Sequence, residues 1–353
     1  MAVPGTERKG SCFWCLKAVK WIPVLFIITI VAWSYYAYVI QLCLITVENT
    51  IAQIFYFIFF HLFFFMFCWS YAQTIFTDIG RVPNNFRLAE ADFEAYLHHN
   101  DSLELQNRIL ENCSKNLPVT NVTIGGTVRF CDKCKMIKPD RTHHCSVCGE
   151  CVLKMDHHCP WINNCVCFTN YKFFVLFLGY ALLYCIYICL TSLPYFIAFW
   201  KIMFQGDLQG MGSFHILFLF FVAIMFGVSL MSLFGYHCYL VLENRTTLEA
   251  FRPPSFRGVG ADKYGFHLGR FKNFKEVFGE DAKTWFLPVS TSLGDGIQYP
   301  IHSRLLQGPT YYSMDNTQNS LGDGISFPQR NMDEDQEGLL HEHPFDEEEL
   351  RYP

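Results

Sequence analysis

Charge is scarce in this chain, and it is missing in blocks. Asp, Glu, Lys and Arg make up 17% of 353 residues, and four long stretches contain none: between Lys20 and Glu48, Glu48 and Asp78, Lys172 and Lys201, and Asp207 and Glu243. Each exceeds the roughly 20 apolar residues needed to cross a bilayer's hydrocarbon core. With 17% aromatic residues and a mean hydropathy of +0.17, the chain is too apolar for an ordinary soluble protein. We read four transmembrane helices, with Trp21, Trp33, Trp69 and Trp200 near their ends, where amphipathic rings favour the headgroup layer. The lack of charge also argues against a transporter or channel, whose ion or solute pathway would place ionisable groups inside the membrane. His61, His215 and His237 are the only readily ionisable side chains in the spans, and hydrogen-bonded packing suits lone histidines better than a proton relay. No small-residue cleavage site is evident in the first segment, so it reads as a retained anchor.

Basic residues set the expected orientation. Arg8, Lys9, Lys17 and Lys20 precede the first helix, and ten more, from Arg81 to Lys154, lie between the second and third, whereas the opposite connections offer only Lys201. Both termini and the loop between helices 2 and 3 are therefore expected in the cytosol. Eight of the sixteen cysteines fall between Cys131 and Cys167. In a reducing compartment such density favours metal over disulfides. The glycosylation-like triplets at Asn112, Asn121 and Asn244 would remain unmodified there.

Two close pairs, Cys131 with Cys134 and Cys145 with Cys148, have the two-residue gap that lets both sulfurs reach one tetrahedral zinc. Each pair needs two further ligands. Cys151 and Cys165 supply thiolates, and one member each of His143–His144 and His157–His158 supplies an imidazole. Two closed Cys3His sites thus use six cysteines and leave Cys159 over, directly after Asp156, His157 and His158.

Composition divides the chain into a cytosolic N-terminus (1–20), helices 1 and 2 (21–77), a polar linker (78–127), the cysteine-rich zinc region (128–171), helices 3 and 4 (172–242), an ordered cytosolic extension (243–288) and an acidic tail (289–353). In the linker, Glu90 to Leu110 reads as one or two amphipathic helices. The tail is too poor in apolar residues to offset ordering entropy and is expected to be disordered. It carries a small repeat, Ser292–Ile297 and Ser320–Ile325, and an acidic dileucine-like run ending at Leu339–Leu340 that arises easily by chance. Cys12 and Cys15, beside the first helix, are candidate acylation targets.

The run Cys-x2-Cys-x9-His-Cys-x2-Cys-x2-Cys-x4-Asp-His-His-Cys-x5-Cys, from Cys131 to Cys165, resembles the cysteine-rich domain of the DHHC protein S-acyltransferases. Thr246-Thr247-Leu248-Glu249 resembles that family's TTxE motif, and Asn273 the asparagine of its C-terminal motif. With the four helices, the likeness extends from about Lys20 to Trp285. It departs at Asp78-Ile79-Gly80, where the family has proline in the middle, and at Cys167, where glycine is common.

The resemblance implies an α-helical polytopic membrane protein with a cytosolic zinc-binding domain between helices 2 and 3. It further implies two structural zincs, one on Cys131, Cys134, His144 and Cys151, the other on Cys145, Cys148, His158 and Cys165. Cys159 would be the nucleophile, His157 the base and Asp156 its orienting partner. The implied reaction carries a palmitoyl group from palmitoyl-CoA through a Cys159 thioester to cytosolic cysteines of membrane-associated proteins. Partners would be acyl-CoA, such proteins and the lipid bilayer, with no nucleic acid, in a secretory-pathway or plasma membrane. Exposing a sixteen-carbon chain to water costs on the order of 10 kcal/mol at about 0.8 kcal/mol per methylene, so a cavity among the helices is expected, with Ser34, Trp161, Phe174 and Tyr184 as candidate lining. Lys138, Arg141 and His143 are candidates to meet the phosphates of coenzyme A, with Lys135, Lys154 and Lys172 also available. Thr246 and Asn273 are expected to support the site, Thr246 together with Glu249 by bracing Asp156 and the zinc module, with the capping of a short helix as a compatible part. A catalytically silent zinc-binding adapter would need neither Cys159 nor His157. Both are present in the intact Asp156-His157-His158-Cys159 run.

Overall fold

Residues 18–204 and 211–302 are described by a computed structural model. Cys12, Cys15, the second repeat copy and Leu339–Leu340 lie outside the described residues. Helix α1 (Ile22–Tyr35) has proline in its first turn, where the missing N–H costs nothing, and runs on as a π-wound segment, Tyr36–Thr46. Helix α2 (Thr50–Phe76) begins at Asn49, whose side chain accepts from the backbone N–H groups of Ile51 and Ala52. The linker folds as α3 (Glu90–His98) and α4 (Leu103–Ser114), in keeping with the amphipathic pattern read there. Two long helices follow the cysteine-rich region, α5 (Tyr171–Phe204) and α6 (Met211–Glu243). The segments Ile22–Thr46, Thr50–Phe76, Tyr171–Phe204 and Phe214–Glu243 are long and apolar enough to cross a membrane. The protein is an integral membrane protein, with the metal-binding region between its second and third spans.

That region is made of very short strands. β1 (Asn121–Val122) joins a later sheet, while β2 (Phe130–Cys131) pairs with β3 (Met136–Ile137), β4 (His143–Cys145) with β5 (Glu150–Val152), and β6 (His157–Cys159) with β7 (Asn164–Val166), all antiparallel. The register sets His144 opposite Cys151 and His158 opposite Cys165. After α6 come a one-turn helix α7 (Thr247–Phe251), the strands β8 (Ser255–Phe256) and β9 (Gly260–Ala261) that complete a sheet with β1, and α8 (Arg270–Phe278).

Both departures from the family pattern fall in one place. Ile79 and Cys167 belong to the same buried cluster, with Cys145, Val152, Met155 and Cys165. Gly80 lies close to Leu153, where an added Cβ would come within 3.3 Å of the Leu153 side chain. At the C-terminus, the ordered extension expected to end at 288 continues to 302. Thr291 accepts from Lys172, Ser292 donates to the Val277 carbonyl, and the Tyr299 ring lies over the Arg141 guanidinium. A few such anchors order a Ser- and Gly-rich segment that its composition alone would leave unfolded.

Candidate active site and metal centres

Two sets of four donors converge in the cysteine-rich region: Cys131, Cys134, His144 and Cys151, and Cys145, Cys148, His158 and Cys165. In the first, His144 Nδ1 is 3.6, 3.2 and 4.0 Å from the sulfurs of Cys131, Cys134 and Cys151. In the second, His158 Nδ1 is 3.7, 3.5 and 3.6 Å from those of Cys145, Cys148 and Cys165. A zinc with sulfur at about 2.3 Å and nitrogen at about 2.0 Å has tetrahedral S–N edges of about 3.5 Å, so both donor sets fit the ion. Each set interleaves residues from different hairpins, which clips the hairpins together. With four protein ligands apiece, neither site offers a position for a reacting water.

Strand β6 brings the remaining groups together. His157 and Cys159 are two residues apart and so lie on one face of the strand. The His157 Nδ1 is 2.6 Å from Asp156 Oδ2, and the Cys159 sulfur on the same face favours charge on the imidazole. Asp156 is held from outside its own segment: Thr247 donates its backbone N–H to Oδ1 at 2.8 Å and its hydroxyl to Oδ2 at 2.7 Å. Burial alone would raise the Asp156 carboxyl, but the hydrogen bond and charge of His157 outweigh it and hold the group below the usual carboxylate range. Burial likewise opposes charge on His157, yet Asp156 and Cys159 together lift it to about 9. Cys159 is buried in a cluster with Tyr71, Ile162, Val166 and Phe174. The arrangement is a thiol beside an imidazole that a carboxylate orients, the pattern of an activated nucleophile.

A profile of the DHHC palmitoyltransferase family matches residues 125–253. Palmitoyltransferase ZDHHC2 of Homo sapiens is 49% identical over 340 residues, which cover 96% of this chain and 90% of that protein. The Danio rerio ZDHHC2 is 48% identical over 93% of this chain and 91% of its own length, and Palmitoyltransferase ZDHHC15 of Xenopus laevis 52% identical over 81% and 83%. The chain belongs to the DHHC palmitoyltransferase family. Family membership directs attention to three groups of expected residues, and the structure treats them differently.

Of the cavity candidates, Ser34 and Tyr184 meet: their hydroxyls are 2.8 Å apart and buried, at a cavity of about 100 Å3 that Ile27, Val31, Phe67, Phe177 and Ala181 also line. Phe174 is buried in the same cluster as Cys159, with its ring edge-on to His157. Trp161 does not join them. It is 52% exposed, with its ring beside Phe26, and only its carbonyl turns inward to accept from Tyr71.

The phosphate-binding candidates need a larger correction. Arg141 is fully buried and bidentate on Glu249, at 2.8 and 2.6 Å, with two further hydrogen bonds to Asn244. Four of its five N–H groups are thereby committed within the protein. Lys154 is buried, and burial and the neighbouring Arg141 bring its ammonium down to about 7. Lys172 is buried on Thr284 and Thr291. Lys138 and His143 do line an open cavity of about 440 Å3 with a mixed polar and apolar wall, together with Arg129, Arg252 and the Arg141–Glu249 pair. Burial and the charge of Arg129 push His143 down to about 4, so it enters that cavity as a neutral hydrogen-bonding group.

Among the support residues, Thr246 caps α7 in a reciprocal box with Glu249, but its neighbour Thr247 braces Asp156. Of the expected bracing, Glu249 does hold the zinc region through Arg141, whereas the contact to Asp156 is made by Thr247 of the same motif rather than by Thr246. Asn273 is fully buried, donating to the Leu242 carbonyl and accepting from the Leu268 N–H, and so ties α8 to the end of α6. The three span histidines all have partners: Tyr35 for His61, Trp33 for His215 and Tyr171 for His237.

Proposed function

We propose that this protein is a protein S-acyltransferase that moves a palmitoyl group from palmitoyl-CoA to cysteines of membrane-associated proteins, with Cys159 as the carrier. The observation that carries the reading is the Asp156–His157 pair beside the Cys159 thiol, braced by Thr247, at the edge of an apolar helix bundle. In the resting enzyme the Cys159 proton is held on the His157 imidazolium. In the first step the Cys159 sulfur bonds to the thioester carbonyl carbon, and the bond from that carbon to the coenzyme A sulfur breaks. The leaving thiolate collects the proton from His157. In the second step a substrate thiol gives its proton to His157 and attacks the acyl-enzyme, and Cys159 leaves as the thiolate beside the His157 imidazolium. Thioester replaces thioester each time, so little free energy is lost in the chemistry.

Zinc on the two Cys3His sets would act structurally, by fixing the hairpins that hold β6. The acyl chain would enter the cavity closed by Ser34 and Tyr184. Coenzyme A would lie in the open cavity with Lys138 and His143. The distribution of basic residues supports a cytosolic face for the zinc region and both termini, in a secretory-pathway or plasma membrane.

The test is intact-mass analysis of the detergent-purified protein after incubation with palmitoyl-CoA, alongside Cys159→Ala. A hydroxylamine-sensitive gain of one acyl group, absent from a variant that keeps both zincs, is the expected result. No adduct on zinc-loaded protein, or an adduct that survives in the variant, would favour the silent adapter.

A further inference from the structure

Beside the Asp156–His157 pair lies a histidine that no step above uses. His237 is on α6 and is 2% exposed. Its Nδ1 is 3.1 Å from the hydroxyl of Tyr171, which is itself buried at the start of α5. Its ring centre is 5.9 Å from that of His157 and 5.0 Å, edge to face, from that of Phe174. Phe174 in turn meets His157 edge-on at 5.5 Å. One nitrogen of each histidine and one Asp156 oxygen all lie within 4.8 Å of one another.

A buried imidazole is costly unless both nitrogens are used. Tyr171, donating its one proton to Nδ1, would hold the neutral ring as the tautomer with hydrogen on Nε2. That N–H is the polar group left to face Asp156 and His157. Asp156 has room for it. Oδ2 accepts from both His157 and the Thr247 hydroxyl, whereas Oδ1 accepts only the Thr247 N–H among the described residues, and a carboxylate oxygen takes two donors.

We propose that His237, oriented by Tyr171, is a positioning residue of the acylation step: with Phe174 it walls the His157 ring, and it offers an N–H toward Asp156. Three elements then grip the pair, with Thr247 reaching in from α7, Phe174 from α5 and His237 from α6. The proposal rests on the reading of Cys159 as the acyl acceptor.

The experiment is single-turnover acylation of the full-length protein in nanodiscs over a range of palmitoyl-CoA concentrations, with bound zinc and melting temperature measured on every sample. His237→Phe keeps a ring but no N–H, whereas the side-chain amide of His237→Gln can replace the Nε2 donor. The expected result is that Phe slows the step on the order of tenfold, as loss of a hydrogen bond to a charged group does, with half-saturating palmitoyl-CoA and both zincs unchanged. Gln should recover most of the rate. A Phe variant as fast as the parent would overturn the proposal. So would a Gln variant as slow as Phe with zinc and melting intact, which would leave packing alone, or a third zinc that is lost with His237. Should His237→Phe lose zinc or melt early, Tyr171→Phe decides: it should slow the step with zinc retained, and an unchanged rate refutes the pairing. Cys159→Ala is run in parallel, because acylation of that variant would remove the underlying reading whatever the His237 series shows.

Discussion

Asp156 would have little reason to stay put if His157 were its sole partner, since a hydrogen bond between neighbours in sequence leaves both free to move together. Thr247 supplies the fixed point, with two donors on one carboxylate. Thr247→Val keeps the shape and removes the hydroxyl. Hydrogen bonds to charged groups are worth about 1.5–3 kcal/mol, so the rate of Cys159 acylation should fall by about 10- to 100-fold with zinc content unchanged; an unaltered rate would show that the backbone N–H suffices. Thr246→Val should act otherwise. It removes one half of the α7 cap, which costs about 1 kcal/mol and should appear in a thermal melt more than in the rate. The motif made both threonines visible in the sequence, and the three-residue spacing to Glu249 made the cap legible. Which threonine reaches Asp156 depends on how a segment 91 residues away docks, and local pattern carries no record of that.

Helix α7 has five residues, too few to be stable alone, and a buried ion pair secures it. Burial would raise the Glu249 carboxyl, but Arg141 outweighs this and holds it below its usual range. Arg141 adopts a left-handed backbone with φ 60°, a conformation that a non-glycine residue keeps only when its surroundings demand it. Its guanidinium joins the turn before β4 to the end of α6 and to α7, under the rings of Phe266 and Tyr299. Removing one partner of such a pair costs about 3–5 kcal/mol because the other charge stays buried. Glu249→Gln should therefore lower the melting temperature and the rate together, and Arg141→Met paired with Glu249→Leu should recover more stability than either change alone. The sequence offered Arg141 as one basic residue among several near a phosphate site. Nothing in its neighbours distinguishes a buried cation from an exposed one when the partner carboxylate is 108 residues away. The cavity end is different in kind. Ser34 on α1 and Tyr184 on α5 were legible as candidates, and their contact makes a chain-length prediction: Tyr184→Ala should extend the favoured acyl chain and Ser34→Met shorten it, read by intact mass with a series of acyl-CoA donors.

At the scale of the whole molecule, two kinds of order meet at Cys159, and they differ in what they need. The spans are apolar on all sides and order themselves in a bilayer, which is why blocks without charge sufficed to find them. The cysteine-rich region is built from strands of two or three residues, far below the length at which hairpins stand alone. Its two Cys3His donor sets suit a metal that would tie the hairpins together, and the regular cysteine gaps made that legible, whereas the anchors at Thr291, Ser292 and Tyr299 were hidden by a composition typical of disorder. Stripping zinc should then uncouple the two parts. Chelation, or Cys148→Ser for the second site alone, should abolish Cys159 acylation and open residues 128–171 to protease while far-UV circular dichroism of the helices persists. His158 shares a strand with both His157 and Cys159, so loss of the second site should act directly on the reacting pair. Cys131→Ser loosens the hairpins more remotely and should leave more residual activity at equal zinc loss. A variant depleted of zinc that still acylates at the parental rate would refute the structural role, and would leave the contacts of Thr247 and Phe174 as sufficient to hold β6.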